Sequence, residues 1–164
     1  MEERNIKVSI VKARDWYNSG NNTLKELALQ AFTKEELEIP SISSMIAIIL
    51  DSRIWNLTMI QKIQLRELRN RNESNISAPK LLRVLALYFN KGWEKTVGNT
   101  GYFLAKKEWS SYVGAKNKLD EDWSIIKHES VCYPMPYFKN ENDCKKSFEI
   151  LKGLGKLENL YTDL

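Results

Sequence analysis

The sequence predicts an α+β protein, with a mainly helical N-terminal part, a small antiparallel sheet and a closing C-terminal helix. Three observations predict it. Apolar residues recur at spacings of three and four as far as Phe89, and the runs follow Ser, Thr or Asn residues suited to capping helices. Glycines at 98, 101 and 114 then break that period. Beyond them, Gly101 to Glu108 and Trp123 to Tyr133 are rich in aromatic and β-branched residues, as strands are. The seam falls near residue 95, giving a helical part over 1–95 and a sheet with its helix over 96–164, the two sharing one core.

Taken in order, residues 5–10 alternate apolar and polar and read as a short strand or an extended lead-in. Ser9 is placed to cap a helix from Ile10 to about Ser19, ended by Gly20. Thr23 is a second cap candidate, with Leu24, Leu27, Ala28 and Ala31 on one face of the helix that follows. Thr33 with Glu36 reads as a capping box, and Pro40 stops the turn it starts. Ser43 or Ser44 is expected to cap a helix through Met45 to Leu50. After Asp51-Ser52 the helical pattern resumes to about Arg71. Leu57, Ile60, Leu65 and Leu68 fall on one side of it, and Lys62, Arg66 and Arg69 on the other. Ser77 and Pro79 open a further helix that buries Leu81, Leu82, Val84, Leu85, Tyr88 and Phe89, turns Arg83 and Asn90 outward, and ends at Asn90-Lys91-Gly92. Tyr137 to Lys139 reads as one more short strand. Asn140 or Asn142 caps the last helix, which is interrupted at Gly153.

Composition limits what such a chain does. Of its 164 residues 43% are hydrophobic and 28% charged, enough for a packed core and for one domain or two small ones. No apolar run exceeds six residues, against the roughly 18 needed to span a bilayer. The charged N-terminus lacks a leader pattern, so a cytoplasmic protein is expected. Two cysteines, Cys132 and Cys144, make neither a disulfide scaffold nor a four-ligand zinc site, and a cytoplasmic setting argues for free thiols. The chain has one histidine, His128, which removes the commonest imidazole-based enzyme designs.

The net charge of +4 is unevenly placed. Residues 51–100 hold nine basic and four acidic side chains, whereas 1–50 hold six and seven, and 101–164 hold ten and ten. The excess therefore lies in the middle third. There Lys62, Arg66 and Arg69, joined by Arg71 and Arg83, form the candidate partner- or nucleic-acid-binding surface. Arginines a helical turn apart meet successive phosphates or the carboxylates of an acidic groove. The ordinary role of such a stripe is solvation.

Other groupings are weaker. The aromatic residues between Tyr88 and Phe138, including Trp109, Tyr112 and Tyr133, read first as core, though aromatics on strands also stack bases. His128 and Cys132 have no second pair to complete a metal site, and Asp120-Glu121-Asp122 reads as a solvated turn rather than a nuclease centre. Phosphate-binding and dinucleotide-binding glycine loops are absent, as is HExxH. The reading is of a protein that is not an enzyme and takes no cofactor or metal.

Three segments carry a resemblance. Ala13 to Gly20 (ARDWYNSG) leads into Leu24 to Phe32 and Glu35 to Leu37. Leu85 to Trp93 runs from a leucine-rich helix into Asn-Lys-Gly-Trp. Tyr137-Phe138-Lys139 leads into a helix through Phe148. Together these resemble small accessory proteins of Bacteroidetes phages and mobile elements. Glu94-Lys95-Thr96 stands where those proteins usually have Pro-Asp-Trp. No catalytic residue is carried over. The resemblance implies a phage-type accessory protein in a bacterial cytoplasm. By analogy it would engage and inhibit a host nucleoprotein defence complex, as an anti-CRISPR protein does. The expected partner is a host protein or protein–RNA complex, with no membrane. The alternative is a phage regulator that binds DNA or RNA directly. The two differ in binding to bare nucleic acid.

Overall fold

The structure is a computed structural model and describes residues 7–107, 116–129 and 135–161. It is α+β, as the sequence predicts. Among the described residues, six α-helices and a single 3-10 turn precede a three-stranded antiparallel sheet, and a seventh helix closes the chain.

The helices start where short polar side chains satisfy their first free amides. Ser9 accepts from the Lys12 amide at the head of α1 (Ile10–Asn18). Residues 7–9 form no strand, and 5 and 6 lie outside the described residues. Asn21, not Thr23, caps α2 (Asn22–Ala31). Its carboxamide reaches the Leu24 amide, which leaves Thr23 inside the first turn. Thr33 and Glu36 close the expected capping box on α3 (Lys34–Leu37). The cap of α4 (Ile42–Asp51) is Ser41 rather than Ser43 or Ser44. Pro40 favours an extended backbone in the residue before it, and the helix begins two residues beyond.

The helical pattern does not resume directly after Ser52. Residues 52–58 are irregular, and α5 (Met59–Arg69) begins at a second capping box, Thr58 with Gln61. Trp55 anchors the irregular stretch, its indole donating to the Leu87 carbonyl at 2.6 Å. The 3-10 turn Glu73–Asn75 leads to α6 (Ala78–Asn90), entered through Ser77 and Pro79 and left through Lys91 and Gly92, both at positive φ. Leu81, Leu82, Val84 and Leu85 are buried as expected, while Tyr88 and Phe89 are half-buried.

Strand β1 (Gly101–Lys106) pairs along its whole length with β3 (Trp123–His128), Gly101 opposite His128 and Lys106 opposite Trp123. A strand not predicted by the sequence, β2 (Lys116–Lys118), pairs with the far side of β3. Tyr137 to Lys139 does not become a full strand. Phe138 alone bridges to Tyr102, exchanging hydrogen bonds of 2.7 and 2.9 Å. The final helix, α7 (Glu141–Gly153), is capped by Asn140.

Alternation along the strands divides the sheet's residues between two clusters. Leu104, Trp123 and Ile125 join Phe148 and Leu151 of α7 in the large core, which also takes in α4, α5 and α6. Phe103, Ala105 and Ile126 pack with Tyr137 in a second cluster, against which Trp93 lies. Ile10, Ala13, Ala28 and Leu37 of α1–α3 make a third. The largest cluster draws residues from both sides of residue 95.

A candidate binding surface on helices α5 and α6

Helix α5 sets the geometry of the proposed site. Leu65 and Leu68 are buried, anchoring its C-terminal half to α4 and the core. Lys62, Arg66 and Arg69 then lie on one flank, about 6 and 4.5 Å apart along the axis from the rise of a helix. Arg66 and Arg69 are exposed and Lys62 half-buried. Arg66 and Arg69 fall in the last turn, where their charge also favours the helix dipole.

The structure separates the five predicted residues into two groups. Arg71 and Arg83 belong not to that flank but to a hollow of about 300 Å³ between α5 and α6, floored by Leu65, Leu68 and Leu87. Gln61 and Gln64 turn the other flank of α5 toward this hollow. Lys80 joins Arg71 and Arg83 there. Lys80 is not among the residues the sequence predicts for the site, although Lys80, Arg83 and Leu87 share one stripe of α6 at helical spacing. Among the described residues, none of these six cations forms an ion pair or hydrogen bond within the chain. The four ion pairs there involve other lysines.

One expectation about α5 is overturned. Ile60 does not face the core: it is 68% exposed, as is Met59, and Ile63 is 49% exposed. At 100° per residue Ile60 lies about 140° round the helix from Leu65, too far to share its burial. The first turns of α5 thus present three large apolar side chains to solvent, Met59 and Ile63 beside the basic flank and Ile60 further round the helix. An apolar patch with arginine at its edge has the make-up of a protein interface.

The remaining candidates have structural roles. Asp120 caps its own turn, one oxygen accepting from the Asp122 and Trp123 amides at 2.9 Å and the other lying 3.6 Å from Lys152. Among the described residues no cluster of His, Cys, Asp and Glu is fit to hold a metal. Cys144 is a buried free thiol, its ionisation pushed well up by burial, and Cys132 lies outside the described residues. Phe103, Trp123, Tyr137 and Phe138 are buried and offer no open face to a base; Trp109, Tyr112 and Tyr133 lie outside the described residues. No helix among the described residues is long and apolar enough to cross a membrane.

No family model matches the chain, and no significant match is found among curated proteins or solved structures.

Proposed function

We propose that this chain is a phage-type accessory binding protein that engages a host nucleoprotein complex through the α5–α6 surface and blocks it by occlusion. The observation that carries the reading is the row Lys62, Arg66 and Arg69, without an ion pair among the described residues and standing beside exposed Met59 and Ile63. Cations alone suit any polyanion. The apolar neighbours favour a partner with a protein surface, because a bare phosphate backbone has nothing to bury against isoleucine. Guanidinium groups clamp phosphate or carboxylate at the rim while the apolar side chains supply contact area. The setting, a bacterial defence complex such as a CRISPR effector, comes from the resemblance to Bacteroidetes phage proteins.

A pull-down from a Bacteroidetes lysate, with and without nuclease, tests it. The reading expects a retained protein component that survives nuclease, together with weak retention of bulk RNA and DNA in a gel shift. Tight binding to bare nucleic acid, falling steeply with salt, would replace it with the regulator reading.

A further inference from the structure

The hollow holding Arg71, Lys80 and Arg83 does not end at Leu87. A second hollow, of about 390 Å³, shares Gln61, Arg83 and Leu87 with it and continues to Trp93, Met135 and Pro136. The two make one groove along α6. From Lys80 to Asn90 the helix rises about 15 Å, the length of about five residues of extended peptide. Its two ends differ in chemistry. Cations in excess gather at the Arg71 end, whereas at the other an apolar wall of Ala86, Trp93, Met135 and Pro136 stands with Glu94 and Lys95, whose charges offset each other.

We infer that this groove receives a short extended peptide segment of the protein partner, with acidic residues at one end and a large apolar residue about five positions away. The inference rests on the binding-protein reading above and adds a second contact, distinct from the α5 flank. Charge complementarity selects the occupant. Among the described residues Arg71, Lys80 and Arg83 form no ion pair, and they outnumber the nearby Glu67, so the first end takes carboxylates. A nucleic-acid strand fits worse: its charge continues at every nucleotide, whereas at the far end Glu94 and Lys95 offset each other and the wall is otherwise largely apolar. A peptide places its charge at one end and an aliphatic or aromatic side chain at the other. The groove is also built to keep its shape. Asn90 fixes the Tyr137–Lys139 wall to α6 by two hydrogen bonds, and Trp55 takes up the Leu87 carbonyl.

Selection from a random dodecapeptide library against the full chain tests the inference, with Arg71→Glu/Arg83→Glu as the counter-target and Arg66→Glu/Arg69→Glu as a control. Thermal melts establish that both variants fold. Enriched peptides should carry two or more Asp or Glu residues near a Leu, Phe or Trp. They should bind Arg71→Glu/Arg83→Glu roughly tenfold or more weakly, the worth of one charged hydrogen bond, and Arg66→Glu/Arg69→Glu as well as the parent. Absence of enrichment, peptides without acidic bias, or equal binding to the counter-target overturns the groove assignment. So does displacement of the peptides by a fifteen-residue oligo-dT at lower concentration. Because the lysate capture depends on Arg66 and Arg69, its survival alongside a failed selection would remove the groove and leave the functional reading standing.

Discussion

Replacing Asn90 by alanine removes a clamp between helix α6 and the segment Tyr137–Lys139. Asn90 closes α6, and its outward-facing position there suggested only a helix end. In the structure its amide nitrogen donates to the Tyr137 carbonyl at 2.7 Å, and its oxygen accepts from the Lys139 amide at 2.9 Å. Phe138, between them, spends its own amide and carbonyl on Tyr102. Asn90 therefore joins the C-terminal end of α6 to the chain segment lying along the edge of the sheet. At about 0.5–1.5 kcal/mol net for each hydrogen bond, Asn90→Ala should cost about 1–3 kcal/mol. For a chain of this size that lowers the melting temperature by roughly 3 to 10 °C. Thermal and urea denaturation measure it, with an unchanged urea m-value because the same surface is exposed on unfolding. A melting temperature within about 1 °C of the parent's would mean that water replaces the carboxamide at no cost, and the argument for a clamp would fail.

Further outcomes follow from the same geometry. Gly92 sits at φ +85°, and a Cβ there would lie 2.7 Å from the Ile54 carbonyl oxygen, whereas Gly98 at φ +95° faces open space. Gly92→Ala should therefore destabilise by more than Gly98→Ala, which carries only the backbone strain of about 1–3 kcal/mol; equal losses in urea titrations would refute the close approach. Burial raises the pKa of Cys144 and of Tyr161, whose hydroxyl donates to the Leu104 carbonyl. The folded state thus holds these protons more tightly than the unfolded chain. Their contribution is complete below the unfolded values, about 8.5 for a thiol and 10 for a phenol, and is lost as pH rises beyond them. Each group adds a slope of up to about 1.4 kcal/mol per pH unit there, and Cys144→Ala should flatten the part that begins near pH 8.5. Stability independent of pH from 8 to 11 would contradict the buried placement. In the groove, Arg83→Glu should weaken acidic peptides while leaving the melting temperature within a few degrees of the parent's.

Much of the helical part was legible because its signals are local. Ser9 before Ile10, and Thr33 with Glu36, mark helix starts through contacts within one turn. Where two polar residues compete, only the tertiary path chooses. Ser41 caps α4, and the approach from Pro40 decided against Ser43 and Ser44. The break over 52–58 was invisible because Leu57 and Ile60 continue an apolar rhythm; what interrupts it is Trp55 bonding to α6 from a distance in sequence. The strand Lys116–Lys118 has no apolar alternation to read, since its role is to pair one edge of β3. The candidate surface was half legible. Charge count and helical projection located Lys62, Arg66 and Arg69. The division of Arg71 and Arg83 into a separate groove, the addition of Lys80 and the exposure of Met59, Ile60 and Ile63 all depend on how α5 lies against α6.

Charge reversal on the α5 flank tests the proposed function most directly. Each cation meeting an anion at about 4 Å in water contributes about 1 kcal/mol, and reversing its sign turns that attraction into a similar repulsion. Arg66→Glu/Arg69→Glu should then weaken binding of the captured partner about a thousandfold at low salt, and less as screening grows. Lost helix-dipole contributions should cost only about 1–2 kcal/mol of stability. A folded double variant that binds that partner within about threefold of the parent would show that the flank is a solvated face and nothing more.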